Sequence, residues 1–389
     1  MRSKLGSRSG GAIGPRDQSI GDYRLPLCFD GWVVALSSPN QPGSRRNLVL
    51  YITGLLAAGV CLYWTFREVD LARAWAAVAL LGPTVFLTFL PYGFSVLLDG
   101  LGWSRLFAAF GRRVDAVRLL IIRISAEALV ISLPGGILLA ETLKPVLLKS
   151  RCGVPLPEGV SIIAARKCFI ILGHGLYLGL ATLLGWHFLA DSSTRVLGVA
   201  GLPLFAACVA GGLMTLGIVS GWILGGGLAG RLGRALQRLP GRSLQRWMEA
   251  RKASLEHADG LLGRALAPRN AALPALLYVG MWIAEATETF LLLRLLGFGI
   301  GFGEALAIEA VLSVLKALAF FGPAGLGVQD AGYAAFIGGL GGSDSLHLAA
   351  AFAMVKRARE LFWMLTGYGL LFLQARLRRP VDTPAVETP

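Results

Sequence analysis

LPGGILLAE, Leu133–Glu141, puts a proline, two glycines and a carboxylate inside one of the most apolar stretches of the chain. FGPAGLGVQD, Phe321–Asp330, does the same near the other end. Pro134, Gly136 and Glu141 stand at offsets 0, +2 and +7, and Pro323, Gly325 and Asp330 repeat those offsets. Each break is followed at similar distance by a basic pair, Arg166-Lys167 and Lys356-Arg357. The residue seven before each proline is ionisable, Glu127 in one copy and Lys316 in the other. Such repetition of chemically unusual residues indicates an internal duplication.

The surroundings of the two breaks decide the fold class. Of 389 residues, 55% are hydrophobic and only 15% charged, values outside the range of soluble domains. Six stretches reach the roughly 20 residues needed to cross a hydrocarbon core of about 30 Å. They are 47–66, 74–98, 167–190, 197–226, 271–296 and 347–375. Two more, 119–149 and 305–340, contain the breaks, each open to reading as one kinked span or as a hairpin that dips in and returns.

Charge selects the hairpin for the first. Arg105, Arg112, Arg113 and Arg118 precede 119–149, and Lys144, Lys149, Arg151, Arg166 and Lys167 follow its break. If both flanks obey the positive-inside rule, the chain leaves and re-enters on one side. The other loops agree: 230–270 holds nine basic residues against three acidic, whereas 67–73, 191–196, 297–304 and 341–347 hold only Arg67, Arg73 and Arg195 as bases. Both termini are then cytoplasmic. The expectation is an all-α, polytopic integral membrane protein with six full spans and two re-entrant broken-helix hairpins. Its repeat units, 47–190 and 197–375, have three crossings each and must be inverted. They lie in a membrane domain at 47–378, between a disordered cytoplasmic tail at 1–46 and a disordered C-terminal tail at 379–389, with a basic cytoplasmic loop at 227–270.

Lys and Arg outnumber Asp and Glu by 37 to 23, but they sit in short loops between apolar spans. That favours contact with anionic inner-leaflet headgroups, chiefly at the basic loop, over nucleic acid, which is not expected as a partner. The five cysteines show no CxxC or Cys/His spacing, and no HxxxD, DDxxD or HExxH pattern occurs. No metal, cofactor or catalytic activity is expected, and His174 and His187 read as packed or interfacial.

A helix that stops inside the bilayer leaves unpaired carbonyls, and the one that restarts leaves unpaired N–H groups with partial positive charge suited to an anion. The hinge candidates are Pro134, Gly135, Gly136, Pro323, Gly325 and Gly327. Buried charges point to a polar site between the units. Arg166, Lys167, Lys356, Arg357 and Arg359 are candidates for binding a lipid headgroup. Glu141, Asp330, Glu127, Lys316, Glu285, Glu288 and Glu360 are candidates for proton or ion coupling. Alternatively these charges form ion pairs that only pin helices together, such as Glu285 or Glu288 with Arg359.

The blocks LPGGILLAETLKPVLLKSRCGV, FFGPAGLGVQDAGYAAF and VKRARELFWMLTGYGLL resemble the flippase-like membrane domain of lysylphosphatidylglycerol synthases, over about residues 45–378. The second block is most similar to the hopanoid-biosynthesis-associated membrane proteins of that superfamily. The resemblance implies movement of an anionic or isoprenoid- or hopanoid-type lipid between leaflets of a bacterial inner membrane, with lipid-biosynthesis enzymes as possible partners. By position it assigns Pro134, Gly136, Glu141, Pro323, Gly325, Gly327, Lys356, Arg357, Arg359 and Glu360 to the site region. The chain departs from the family pattern at Asp330, where glutamate is usual, and the aminoacyl-transferase domain of the fused synthases is absent from it, so no synthase activity is expected.

Overall fold

The computed structural model describes residues 59–133, 136–198, 267–318, 326–341 and 344–376, with isolated residues at 56, 206–217 and 260–264. Pro134, Gly135, Pro323 and Gly325 lie outside these residues, as do most of the expected spans 47–66 and 197–226, the expected tails and most of the basic loop.

All regular structure among the described residues is helical. It comprises α1 (Leu71–Leu81), a 3-10 turn (Gly82–Thr88), α2 (Phe89–Ala109), α3 (Ala116–Ser132), α4 (Gly136–Cys152) and α5 (Leu156–Leu184). There follow α6 (Trp186–Leu197), α7 (Pro268–Leu295), α8 (Phe302–Leu318), α9 (Val328–Gly339) and α10 (Ser345–Arg376). Local sequence sets the ends. The carboxylates of Asp70 and Asp115 accept backbone N–H groups at the starts of α1 and α3. Gly153 supplies a positive φ of 65° between α4 and α5, and Pro155 caps the start of α5.

The continuous apolar segments Leu71–Ala109, Leu156–Leu184 and Asn270–Leu295 are long and apolar enough to cross a membrane. Helix α10, at 32 residues or about 48 Å, is long enough as well. Large apolar side chains such as Leu80, Leu183, Leu276 and Leu365 are exposed, as lipid-facing side chains of a multi-pass membrane protein are. Two details differ from the sequence reading. The span expected at 74–98 is interrupted by the 3-10 turn, where Pro83 offers no N–H to the helix. The span expected at 167–190 begins at Leu156 and ends at Leu184, and residues 191–196, expected as a loop, belong to α6.

Both broken stretches are hairpins. Gly136, at the start of α4, packs on the carbonyl of Leu129 near the end of α3, while Arg118 at the start of α3 reaches the carbonyl of Arg151 near the end of α4. The two helices therefore run antiparallel. In the second hairpin Gly332 of α9 packs on Leu312 of α8, and Tyr333 bonds Glu309 one turn earlier. Among the described residues no arm exceeds 17, about 25 Å, against the roughly 30 Å of a hydrocarbon core.

The inverted repeat is visible in the packing. Exchanging α2, α3, α4 and α5 for α7, α8, α9 and α10 maps the contacts α2–α3, α3–α4, α4–α5 and α3–α10 onto α7–α8, α8–α9, α9–α10 and α8–α5, all of which occur. The most extensive pairing, α2 with α7, maps onto itself. Its register runs Ser95 to Glu285, Leu98 to Gly280 and Gly102 to Tyr278, so residue numbers rise on one helix as they fall on the other. The two units point in opposite directions. Each hairpin has its own apolar surroundings, around Trp103, Phe107, Leu148 and Phe169 for the first and around Leu306, Tyr333, Phe336 and Phe352 for the second.

A methyl group at Gly136 would overlap the Leu129 carbonyl oxygen, a backbone atom that cannot swing aside. Gly136→Ala should therefore destabilise the protein by about 1–3 kcal/mol, read as a lower melting temperature in detergent. Gly179→Ala, which meets nothing within 4 Å, should melt like the parent.

Candidate functional site

Buried charges line the helices that carry the breaks. In the first unit, Asp99 of α2 is 1% exposed and accepts a two-pronged bond from Arg166 of α5, with Nε at 2.8 Å from Oδ1 and Nη2 on Oδ2. Arg123 of α3 reaches the same carboxylate at 2.6 Å and also pairs with Glu127 one turn on. Glu141 of α4 lies between Lys144 at 2.9 Å and Lys167 at 2.8 Å.

The second unit holds the counterpart. Arg357 of α10 grips Asp330 of α9 through Nη2 at 2.6 Å and Nε at 3.2 Å, and pairs with Glu360. Asp330 also accepts the N–H of Gly327 at 3.0 Å, capping the restarted helix. Lys356 lies 2.9 Å from Glu309 of α8 and 3.7 Å from Glu288 of α7. Arg359 bonds Glu288 at 2.9 Å. Glu309 additionally accepts the hydroxyls of Thr289 and Tyr333, and Gln329 donates to Tyr333.

One rule describes both units. The second base of each pair meets the acid of the restarted helix, Lys167 with Glu141 and Arg357 with Asp330. The first base meets an acid on the span before the hairpin, Arg166 with Asp99 and Lys356 with Glu288. The two networks join along one face of α2, where Tyr92, Ser95 and Asp99 recur at helical spacing. The Tyr92 hydroxyl donates to Glu127 at 2.8 Å while its ring lies 4.1 Å under the Arg359 guanidinium, and Ser95 donates to Glu285 at 3.2 Å.

The structure thus gathers Glu127, Glu141, Arg166, Lys167, Glu285, Glu288, Asp330, Lys356, Arg357, Arg359 and Glu360 into this system. Lys316, in register with Glu127 by sequence, is instead exposed near the end of α8. Of the hinge candidates, Gly136 and Gly327 are described, the latter with φ 84° at the start of α9. His174 is packed against Trp282, with Nε2 2.7 Å from the Ser313 hydroxyl. Sequence reasoning missed Asp99, Arg123, Lys144 and Glu309. The available signal was a lone charge in an otherwise apolar run, as in SVLLDGLGW and ALAIEAVLSVL.

The chain matches the family described as lysylphosphatidylglycerol synthase TM region over residues 51–369. It belongs to that family. The match covers every helix of both units up to Gly369, so the site just described lies wholly within this membrane region of the lysylphosphatidylglycerol synthase family. Comparison with curated proteins gave no match.

Proposed function

We propose that the protein moves a lipid with an anionic headgroup, including isoprenoid- or hopanoid-type lipids, between the leaflets of a bacterial inner membrane, with both termini cytoplasmic. The observation that carries this reading is the continuous charged system at the meeting of two inverted units, beside two short hairpins. Charges at such depth cost at least about 2.5 kcal/mol each on insertion scales, and helix breaks there need a polar lining. Both features suit the passage of a polar head through an apolar slab. Arg166, Lys167, Lys356, Arg357 and Arg359 supply the basic lining, and Glu141 and Asp330 are the counter-ions that a headgroup, proton or cation would displace or neutralise.

The purified protein reconstituted in liposomes, with a fluorescent lipid bleached by dithionite on the outer leaflet, should bleach beyond the half seen in empty vesicles. A Glu141→Gln, Asp330→Asn double variant should slow the exchange about tenfold or more, since it takes a carboxylate from Lys144, Lys167 and Arg357. Wild-type exchange no faster than in empty vesicles, for phospholipids and isoprenoid-linked lipids alike, rejects lipid movement.

A second reading is a non-transporting partner of lipid-biosynthesis enzymes. It is favoured by the fact that each of those five bases already has a carboxylate of this chain within 4.0 Å. Stable co-purification with such an enzyme, without lipid exchange, selects it.

A further inference from the structure

The two units repeat in helix order and not in charge. In the first, three buried or half-buried acids, Asp99, Glu127 and Glu141, face four bases, Arg123, Lys144, Arg166 and Lys167. In the second, five acids, Glu285, Glu288, Glu309, Asp330 and Glu360, face three bases, Lys356, Arg357 and Arg359, or four with the exposed Lys316.

The polar atoms without a partner are mostly donors at the first cluster, where the Tyr278 hydroxyl can act either way, and are balanced at the second. The first cluster leaves two buried donors, Nη1 of Arg166 and Nε1 of Trp103, against one acceptor, Oε2 of Glu141. Arg166 and Trp103 are neighbours, the guanidinium carbon lying 5.3 Å from the indole centroid, and both are at most 2% exposed. The second cluster leaves two acceptors, Oε1 of Glu288 and Oε1 of Gln329, and two donors, Nε of Arg359 and Nε1 of Trp363, whose ring meets that of Tyr92. Buried polar groups are ordinarily satisfied, so each unpaired set marks the kind of group that completes it. An excess of positive charge with free donors fits an oxyanion; an excess of carboxylate does not. The first cluster also reaches the surface furthest, the Lys167 side chain being 37% exposed against 23% for Arg357 in the second.

We infer that the first cluster alone is the anion site, and that it takes the phosphate of a phosphodiester headgroup between Lys144, Lys167, Arg166 and Trp103. This rests on the lipid-moving reading only for the source of the phosphate. Lys144 is the surplus base: with it removed, Asp99 keeps Arg166 and Arg123, Glu127 keeps Arg123, and Glu141 keeps Lys167. Lys144→Met thus tests the site with every acid still paired.

The full chain in detergent is titrated calorimetrically with dihexanoyl phosphatidylglycerol, dihexanoyl phosphatidylcholine and inorganic phosphate. The wild type should prefer the phosphatidylglycerol. Lys144→Met should weaken that binding about tenfold or more, and Trp103→Phe, which keeps the ring and removes one donor, by about threefold or more. Glu68→Gln, at an exposed residue of neither cluster, should leave it unchanged. An anion site in the second cluster gives the reverse: Lys144→Met without effect, and tighter binding in Glu285→Gln because a repelling carboxylate is gone. That result, or no binding of any of the three by the wild type, overturns the assignment. Equal affinity for inorganic phosphate keeps the site and replaces the headgroup as the source of the anion. Vesicle exchange read on the same preparations is independent of these titrations, so absence of lipid movement with the Lys144 dependence intact rejects the function and leaves the site standing.

Discussion

Asp99→Ala is expected to lower stability by about 3–5 kcal/mol, the typical cost of breaking a buried ion pair from one side. Asp99 is 1% exposed and is the only carboxylate within 4 Å of Arg166 among the described residues. Its loss leaves that guanidinium, itself 2% exposed, without a carboxylate of this chain beside it. Arg123 suffers less because Glu127 remains beside it. Adding Arg166→Met should recover a substantial part of the loss, since an apolar side chain of similar length needs no partner there. Thermal melting of the four proteins of this cycle in detergent gives the coupling directly. Additive losses, with no recovery in the double variant, would show that Asp99 and Arg166 do not support one another.

Glu309→Ala should cost a similar amount, about 3–5 kcal/mol. Its carboxylate accepts from Thr289, Tyr333 and Lys356, and removing it leaves Lys356 with Glu288 alone, at 3.7 Å. Glu285→Gln is the contrast: Glu285 makes no ion pair among the described residues and accepts only from Ser95, a bond that an amide oxygen can also receive. It should melt within about 0.5 kcal/mol of the parent, a typical limit for changes that disturb no special feature. Equal melting of the two variants would mean that the network around Glu309 adds nothing to the fold.

The hairpins, the inverted order of the units and the ends of the basic pairs were legible in the sequence because proline, glycine and charge are conspicuous against an apolar background. The offset of seven residues from Pro134 to Glu141 and from Pro323 to Asp330 is a property of linear spacing, and both acids lie in the helix that follows the break. Arg359 with Glu288 was anticipated for the same reason, since two acids three apart in α7 demand a base. Asp99, Arg123 and Glu309 were not found, because their meaning lies in partners on other helices, and Lys144, which pairs with Glu141 on its own helix, was read only as a flanking charge. Asp99 meets Arg166 only once α2 and α5 are packed, and a lone aspartate in SVLLDGLGW has no neighbour in sequence that declares its role. Likewise Lys316 is exposed although it is in register with Glu127, which linear spacing does not encode.

The self-paired helices α2 and α7 carry a consequence for energetics. In a transporter of two identical inverted halves, the conformation open to one side and the conformation open to the other are the same shape with the labels exchanged, and they have equal free energy. Here the halves match in helix order while one holds a surplus of bases and the other a surplus of acids. Under the proposed lipid movement the exchange is then no longer between equals: one facing direction is populated more than the other at rest, and the transmembrane voltage acts on the two surpluses with opposite sign. Direction would be written into the side chains of a frame that by itself has none.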